Sequence, residues 1–313
     1  LTPLNSNDLT FTFIDDVPVR DSTASAINVQ IEEDDLSTSD ATDPDSVDGN
    51  NQNNSADLDQ ASGATGSLNA LISSGSDENI TLSLNTDTSG LPTLFSQGVA
   101  LVYTVVGNTL TATANGDTVF RFTISNDGAW QFDLDAPLDH LDDGNNDENT
   151  ALRTSIDGST SINALDLSAM IQVTDGDGDT LTPLNSNDLT FTFIDDVPIT
   201  SGTTATVRVE EDELATIDGD SYNGTTDNDS FTDEAIFTQA TLQSLIVTGA
   251  DENNSGELTF ALNTASITGQ TVESDTNALL YSNGIILKYA SLDANNVIGF
   301  ADANNNDILD VGE

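Results

Sequence analysis

The 313-residue chain carries 54 Asp and Glu against 5 Lys and Arg, a formal net charge of −49. That balance excludes nucleic acid as a partner, because phosphate binding needs clustered bases, and it opposes docking on an anionic membrane surface. Without Cys there is no disulfide and no Cys-ligated zinc or iron, and with 36% hydrophobic and 5% aromatic residues the cores must be thin and aliphatic.

Alternating apolar and polar residues predict strands in chain order. These are Leu9–Ile14, Ile27–Glu32 (INVQIE), Asn79–Asn85, a meander of Val99–Val106, Thr109–Thr113 and Thr118–Ile124, then Ala129–Leu134, Ala151–Ile156, Leu167–Thr174 and Leu189–Ile194 (LTFTFI). A single helical turn is expected near Ala136–Leu141, and no stretch shows helical period over three turns. Ser37–Gly66 and Asp218–Asp233, rich in Asp, Asn, Ser and Gly, read as linkers or long loops. No 18-residue apolar run exists, so nothing is expected to span a membrane by a helix, and no signal peptide is visible at Leu1. The expected fold class is all-β: tandem β-sandwich domains, immunoglobulin-like or cadherin-like, with calcium-binding loops.

The string LTPLNSNDLTFTFIDDVP at Leu1–Pro18 returns unchanged at Leu181–Pro198, an offset of 180 residues. Such a period is longer than a solenoid unit and matches one large domain or a pair of small ones. Further alignments follow: Glu32-Glu33-Asp34 with Glu210-Glu211-Asp212, Leu68–Ile72 with Leu242–Ile246, Asp77-Glu78-Asn79 with Asp251-Glu252-Asn253, and Gly98–Tyr103 with Gly284–Tyr289. The chain therefore reads as the tail of one copy (1–18), one full copy (19–198) and the start of the next (199–313). Folding units can be out of phase with this repeat. A tandem array favours a spacer or a binding surface over a single catalytic centre.

So many acids cannot be paired internally by five bases; they stay solvated or hold cations. The sharpest ladder is DANNNDILDVGE, with side-chain oxygens at positions 1, 3, 5, 9 and 12 (Asp302, Asn304, Asn306, Asp310, Glu313) and the Ile308 carbonyl at 7. This is calcium-loop spacing, in which alternate residues of a tight turn face one centre. Asp307 stands where glycine is usual and demands an unusual backbone; the competing reading is a solvated hairpin tip. Asp175-Gly-Asp177-Gly-Asp179 is the second candidate, since its glycines let three carboxylates converge, against a flexible glycine turn. The third pairs Asp195-Asp196 (and Asp15-Asp16) before a proline with Glu210-Glu211-Asp212 (and Glu32-Glu33-Asp34) a dozen residues later, so that calcium could bridge a junction, against a solvated linker. Asp142–Glu148 is a weaker candidate of the same kind.

Enzyme readings fare poorly. His140 is the only His, beside a Pro137-Leu138-Asp139 turn, and no glycosidase pair can be singled out among 54 acids. Trp130, the only Trp, is expected in the core beside Phe122 and Phe132.

VTDGDGDT with LTFTFIDDVP (Val173–Pro198), the Glu210–Asp212 opening, Pro137–His140 with Asp147–Thr150, and Ala301–Glu313 together resemble the long repeats of giant RTX adhesins, type I secreted bacterial surface proteins with repeats of the T1SS-143 and VCBS kind. The resemblance touches nearly the whole chain. It implies an extracellular extender: tandem calcium-binding β-sandwiches that hold a distal ligand-binding domain away from the cell in adhesion and biofilm formation, with Ca2+ as cofactor and neighbouring repeats as partners. The chain departs from the pattern in lacking the GGxGxD calcium roll, and the Thr113–Asp117 stretch aligned with the ladder lacks that ladder. The alternative is a calcium-dependent binding module contacting a glycan, peptide or cell surface. The excised segment is expected to be monomeric.

Overall fold

The computed structural model describes residue 7, residues 10–39, 45–50, 59–76, 79–141, 148–181, 184–214, 224–225, 233–251, 258, 260–262, 264–274, 276–293 and 296–310, without the side chains of Asp212, Asp251, Thr264 and Ala265. The protein is all-β and of sandwich type. It divides into two compact units, Leu1–Ser255 and Gly256–Glu313.

In the first unit, the predicted meander forms an antiparallel sheet. Its order is Gln60–Gly63, Trp130–Leu134, Asp117–Ile124, Thr109–Ala114, Val102–Val106. The register shifts between Thr118 and Phe120. A bulge of this kind places two successive side chains on one face, and Val119 and Phe120 are both buried.

Facing it, Leu189–Ile194 lies between Leu165–Asp166, to which it is antiparallel, and Ile27–Glu32, to which it is parallel from Leu189↔Ile27 to Ile194↔Glu32. The start and end of the full copy are thereby hydrogen-bonded together. Thr81–Leu84, Ile171–Thr174 and Thr180–Leu181 form a third small sheet. The alternation of LTFTFI carries Phe191 and Phe193 inward, both fully buried. Phe132 stacks on Phe191 with ring centroids 4.5 Å apart and meets Phe193 at 5.6 Å. Trp130, as expected, sits in this core beside Phe122 and edge-on to Phe191.

Several expectations need correction. Gln60–Gly63, inside a predicted linker, is an edge strand paired with Trp130–Asp133. Its Gly63 packs on the indole, where a Cβ would come within 2.0 Å of Trp130 Nε1. The helical turn near 136–141 is absent among the described residues; His140 makes a β-bridge to Leu152. Only Leu152–Arg153 of the strand expected at 151–156 forms, and a 3-10 turn at Ser168–Met170 replaces the first half of the one expected at 167–174. Two short helices, Gln239–Gln243 and Thr264–Ile267, stand where no helix is expected. Residues 10–14, despite their identity with part of a buried strand, form no strand here.

The second unit contains an antiparallel meander of Tyr281–Ser282, Ile285–Asp293 and Asn296–Ala301, with Ala290 and Phe300 buried.

Candidate metal centre

The boundary between copies is built the same way twice. After Asp16, Val19–Arg20 pairs with Ile72–Ser73; after Asp196, Ile199–Thr200 pairs with Ile246–Val247. Asp21 N–H donates to the Leu71 carbonyl at 2.9 Å and Ser201 N–H to the Leu245 carbonyl at 2.8 Å. Each Asp then caps a glycine turn. Asp16 Oδ2 accepts the Ser76 amide at 2.8 Å and its hydroxyl at 3.0 Å. Asp196 Oδ2 accepts the Ala250 amide at 2.6 Å and the Asn50 amide at 3.2 Å, and its Oδ1 accepts from Asn50 Nδ2. The preceding glycines, Gly75 and Gly249, have φ of +70° and +72°, and a Cβ on either would fall 2.4 Å or 2.1 Å from the Asp oxygen.

Two all-carboxylate clusters adjoin this seam. In the first, Asp15, from the tail of one copy, meets Asp177 and Asp179 of the next, with carboxylate oxygens within 4.8 Å of one another. The Asp-Gly-Asp-Gly-Asp segment is a tight turn between paired residues Thr174 and Thr180. Gly178 adopts φ +109°. Asp175 does not share that cluster: its Oδ1 accepts the amides of Gly178 and Asp179 at 3.0 and 2.7 Å and so shapes the turn. Its Oδ2 is buried without a hydrogen-bond partner.

The second cluster, Glu32, Asp34 and Asp35, lies where the Ile27–Glu32 strand breaks into a 3-10 turn at Glu33–Asp35. The same turn recurs at Glu211–Glu213. There Glu210 pairs with Arg208.

Glu33 points elsewhere. Fully buried, it accepts the Leu138 amide at 2.9 Å through Oε1, which also lies 3.3 Å from His140 Nε2, and Asp195 completes a third group. Burial raises the Glu33 pKa, His140 and the Leu138 amide oppose that, and Asp195 adds to it. Asp195 Oδ2 accepts from Asn149 Nδ2 at 3.0 Å. Burial also raises Glu148, with help from Asp34, Glu32 and Asp195. For Asp196, burial is again the largest cause; the Ala250 and Asn50 amides oppose it, Asp34 and Glu33 reinforce it, and the pKa reaches about 7.

Sequence reasoning placed Glu32, Glu33, Asp34 and Asp195 near a junction but missed Asp35, Asn149 and His140 as their neighbours. The one available signal was that the single His follows a proline turn within a strongly acidic chain.

In the second unit, the Asp302 loop brings Asp302, Asn304, Asn306 and Asp310 into one hydrogen-bonded turn. Asp302 is buried and its two oxygens accept the amides of Asn306 and Asp307, both at 3.1 Å. Asn304 and Asn306 both turn their side chains to Asp310 Oδ2, at 2.6 and 2.9 Å. Asp307 takes the left-handed backbone its position demands, at φ +60°. Ile308 is at the loop's surface, and its amide donates to Asn306 Oδ1. Glu313 and residues 142–147 lie outside the described residues.

All five bases are engaged. Arg20 binds Asp188 through two nitrogens (2.7 and 2.8 Å), Arg121 binds Asp135, Arg153 binds Asp139, Arg208 binds Glu210 and Lys288 binds Asp307. None of these acids belongs to the two all-carboxylate clusters. Carboxylates held within 4.8 Å repel one another, a cost that solvent screening reduces at the exposed Asp15 and Asp177. An all-oxygen donor set suits a hard divalent cation, and an irregular shell suits calcium better than magnesium. The Glu33–His140–Asp195 group, which includes an imidazole, fits calcium less well and is arranged as a buried acid–base pair.

The family described as "Domain of unknown function (DUF5801)" matches residues 28–189. The chain belongs to this family. No curated protein and no solved structure matches it. The DUF5801 stretch runs from the strand that opens the full copy to the first residue of the strand that pairs beside it. It therefore holds Asp177, Asp179 and the Glu32–Asp35 acids, while Asp15, Asp195 and Asp196 flank it.

Proposed function

We propose that this DUF5801 chain is a calcium-stabilised structural extender segment of a bacterial cell-surface adhesin, working outside the cell to project a distal ligand-binding domain. The observation that carries the reading is the Asp15–Asp177–Asp179 cluster. It draws carboxylates from two successive copies to one point, with their oxygens within 4.8 Å of one another. A dication there would both remove the repulsion and tie one copy to the next. The resemblance to RTX adhesin repeats supplies the cellular setting, and weak extracellular calcium modules operate in the 10⁻⁴–10⁻³ M range. No described helix is long and apolar enough to cross a membrane.

The test is a calcium titration of the chelator-stripped chain followed by circular dichroism and melting, with magnesium as control. The reading expects a steep rise in melting temperature and a larger maximum dimension in solution scattering with calcium alone. Equal heat resistance and equal dimensions in EDTA and in calcium overturn it.

A further inference from the structure

The single His of the chain belongs to a group unlike the carboxylate clusters. Glu33, His140 and Asp195 bring two carboxylate oxygens and a ring nitrogen within 4.8 Å of one another. All three lie inside the one full copy and come from its start, middle and end. Glu33 opens the 3-10 turn after Ile27–Glu32, Asp195 follows Leu189–Ile194, and these two strands are paired. His140 is fixed from both sides. It bridges Leu152, the Leu141 amide donates to the Ala151 carbonyl at 2.8 Å, and the Arg153 amide donates to the Asp139 carbonyl at 2.8 Å. The group is withdrawn from water: Glu33 is fully buried, the His140 side chain is 3% exposed and Asp195 is 9% exposed. Glu33 Oε2 has no hydrogen-bond partner. A buried carboxylate oxygen in that state is costly unless a donor or a cation meets it.

We propose that Glu33, His140 and Asp195 bind one zinc ion, at a site separate from the two all-carboxylate clusters and independent of calcium. Calcium and magnesium take shells of oxygen, whereas one imidazole nitrogen with two carboxylates suits a borderline transition ion. The chain has no Cys, so the thiolate sites that select softer metals are excluded. Geometry favours four-coordinate zinc. With bonds of about 2.0–2.2 Å, neighbouring donors of a tetrahedron stand roughly 3.3–3.6 Å apart. Glu33 Oε1 and His140 Nε2 already stand 3.3 Å apart. Outer donors orient both carboxylates: the Leu138 amide on Glu33 Oε1 at 2.9 Å and Asn149 Nδ2 on Asp195 Oδ2 at 3.0 Å. Metal ligands are commonly held by partners of this kind. Three protein donors leave the fourth position to water. Bound there, the ion joins segments far apart in the chain, with 107 residues between Glu33 and His140 alone. It therefore stabilises the whole copy rather than one turn of it.

The intact, chelator-stripped chain is titrated with zinc chloride at neutral pH in excess calcium, which keeps the all-carboxylate clusters from competing. Calorimetry should give one zinc per chain, and the zinc-loaded chain should melt at a higher temperature than the chain in calcium alone. Because the chain has one His, its nitrogen-labelled form shows a single imidazole by magnetic resonance. The Nε2 signal of His140 should move in step with zinc binding. His140→Gln should abolish this site. Asn149→Ala, which removes the side-chain donor to Asp195 and leaves all three ligands, should weaken it about 10–100-fold. Both variants should respond to calcium as the wild type does. Their folding is checked by Trp130 fluorescence, and the imidazole measurement on the wild type needs no variant. No stoichiometric zinc in calcium, zinc that binds without moving the His140 signal, or equal zinc affinity in His140→Gln overturns the proposal. None of those results bears on the calcium reading, which is tested without zinc.

Discussion

Asp196 Oδ2 accepts the Ala250 amide at 2.6 Å across 54 residues of chain, and the glycine before Ala250 leaves no room for a Cβ. Asp16 and Ser76 make the same contact one repeat earlier. An Asp-plus-glycine seam that recurs with the repeat is a connection between copies. It has a direct consequence for stability. Replacing Asp196 by Ala leaves the buried N–H of Ala250 unpaired and removes the acceptor of the half-buried Asn50, and the orphaned Ala250 amide alone costs about 1–3 kcal/mol. Gly249→Ala forces a left-handed alanine onto the carboxylate, and the backbone alone costs roughly 1–2 kcal/mol. Both variants should lower the denaturation midpoint of the first unit. Wild-type midpoints for both variants would show that the seam bears no load.

The raised Asp196 pKa gives the seam a pH dependence in metal-free buffer. An ordinary aspartate titrates near 3.8, and this one near 7, chiefly through burial. Between those values the folded chain holds a proton that the unfolded chain has released. Stability from this group is therefore complete below about pH 4 and is lost as pH rises toward 7. Glu33 and Glu148 are raised as well and act in the same direction. In EDTA the melting temperature should fall between pH 4 and 7, with a shallower slope for D196A. A melting temperature that climbs across that interval would contradict the assignment.

The Asp15 cluster predicts opposite effects of one substitution in two buffers. Asp177→Asn removes one of three mutually repelling charges without changing shape. In EDTA it should raise the melting temperature, modestly, because Asp15 and Asp177 are exposed and solvent screens their repulsion to about 1 kcal/mol or less. In calcium it should lower the melting temperature and remove one site from a calorimetric titration. A change of the same sign in both buffers would exclude an ion at this cluster.

The sequence shows some of this and conceals the rest for physical reasons. Ile27–Glu32 and Leu189–Ile194 are legible to the residue, because apolar and polar side chains alternate along each. Their pairing is not, because a parallel contact across 162 residues leaves no local trace. Gln60–Gly63 reads as linker because QASG has no apolar face; it is a strand only because Trp130–Asp133 offers an edge. Asp195 and Asp196 read as equivalent, yet successive extended residues point opposite ways. One therefore goes to Asn149 and the Glu33–His140 pair, and the other to Asn50 and Ala250. The turn at Asp175 was visible as a candidate, but its third carboxylate comes from Asp15 in another copy, which no motif within one segment can disclose.

The Asp302 loop makes a local claim that can be separated from all of the above. Asp302 holds two amides, those of Asn306 and Asp307, with its two oxygens, and both Asn305 and Asp307 stay left-handed at φ near +60°. A left-handed asparagine or aspartate costs less than most residues there but still needs holding. The Lys288–Asp307 pair, with Asp307 60% exposed, is too solvated to hold the loop by itself. Asp302→Ala should therefore speed hydrogen exchange at the Asn306 and Asp307 amides by one to two orders of magnitude, the equivalent of about 1–3 kcal/mol, and should abolish any calcium-induced protection of residues 302–310. Exchange across the Asp117–Ile124 and Trp130–Leu134 strands should stay as in the wild type. Unaltered exchange at Asn306 and Asp307 would mean that the turn holds its shape without the carboxylate, and the calcium-loop reading of this stretch would lose its structural basis.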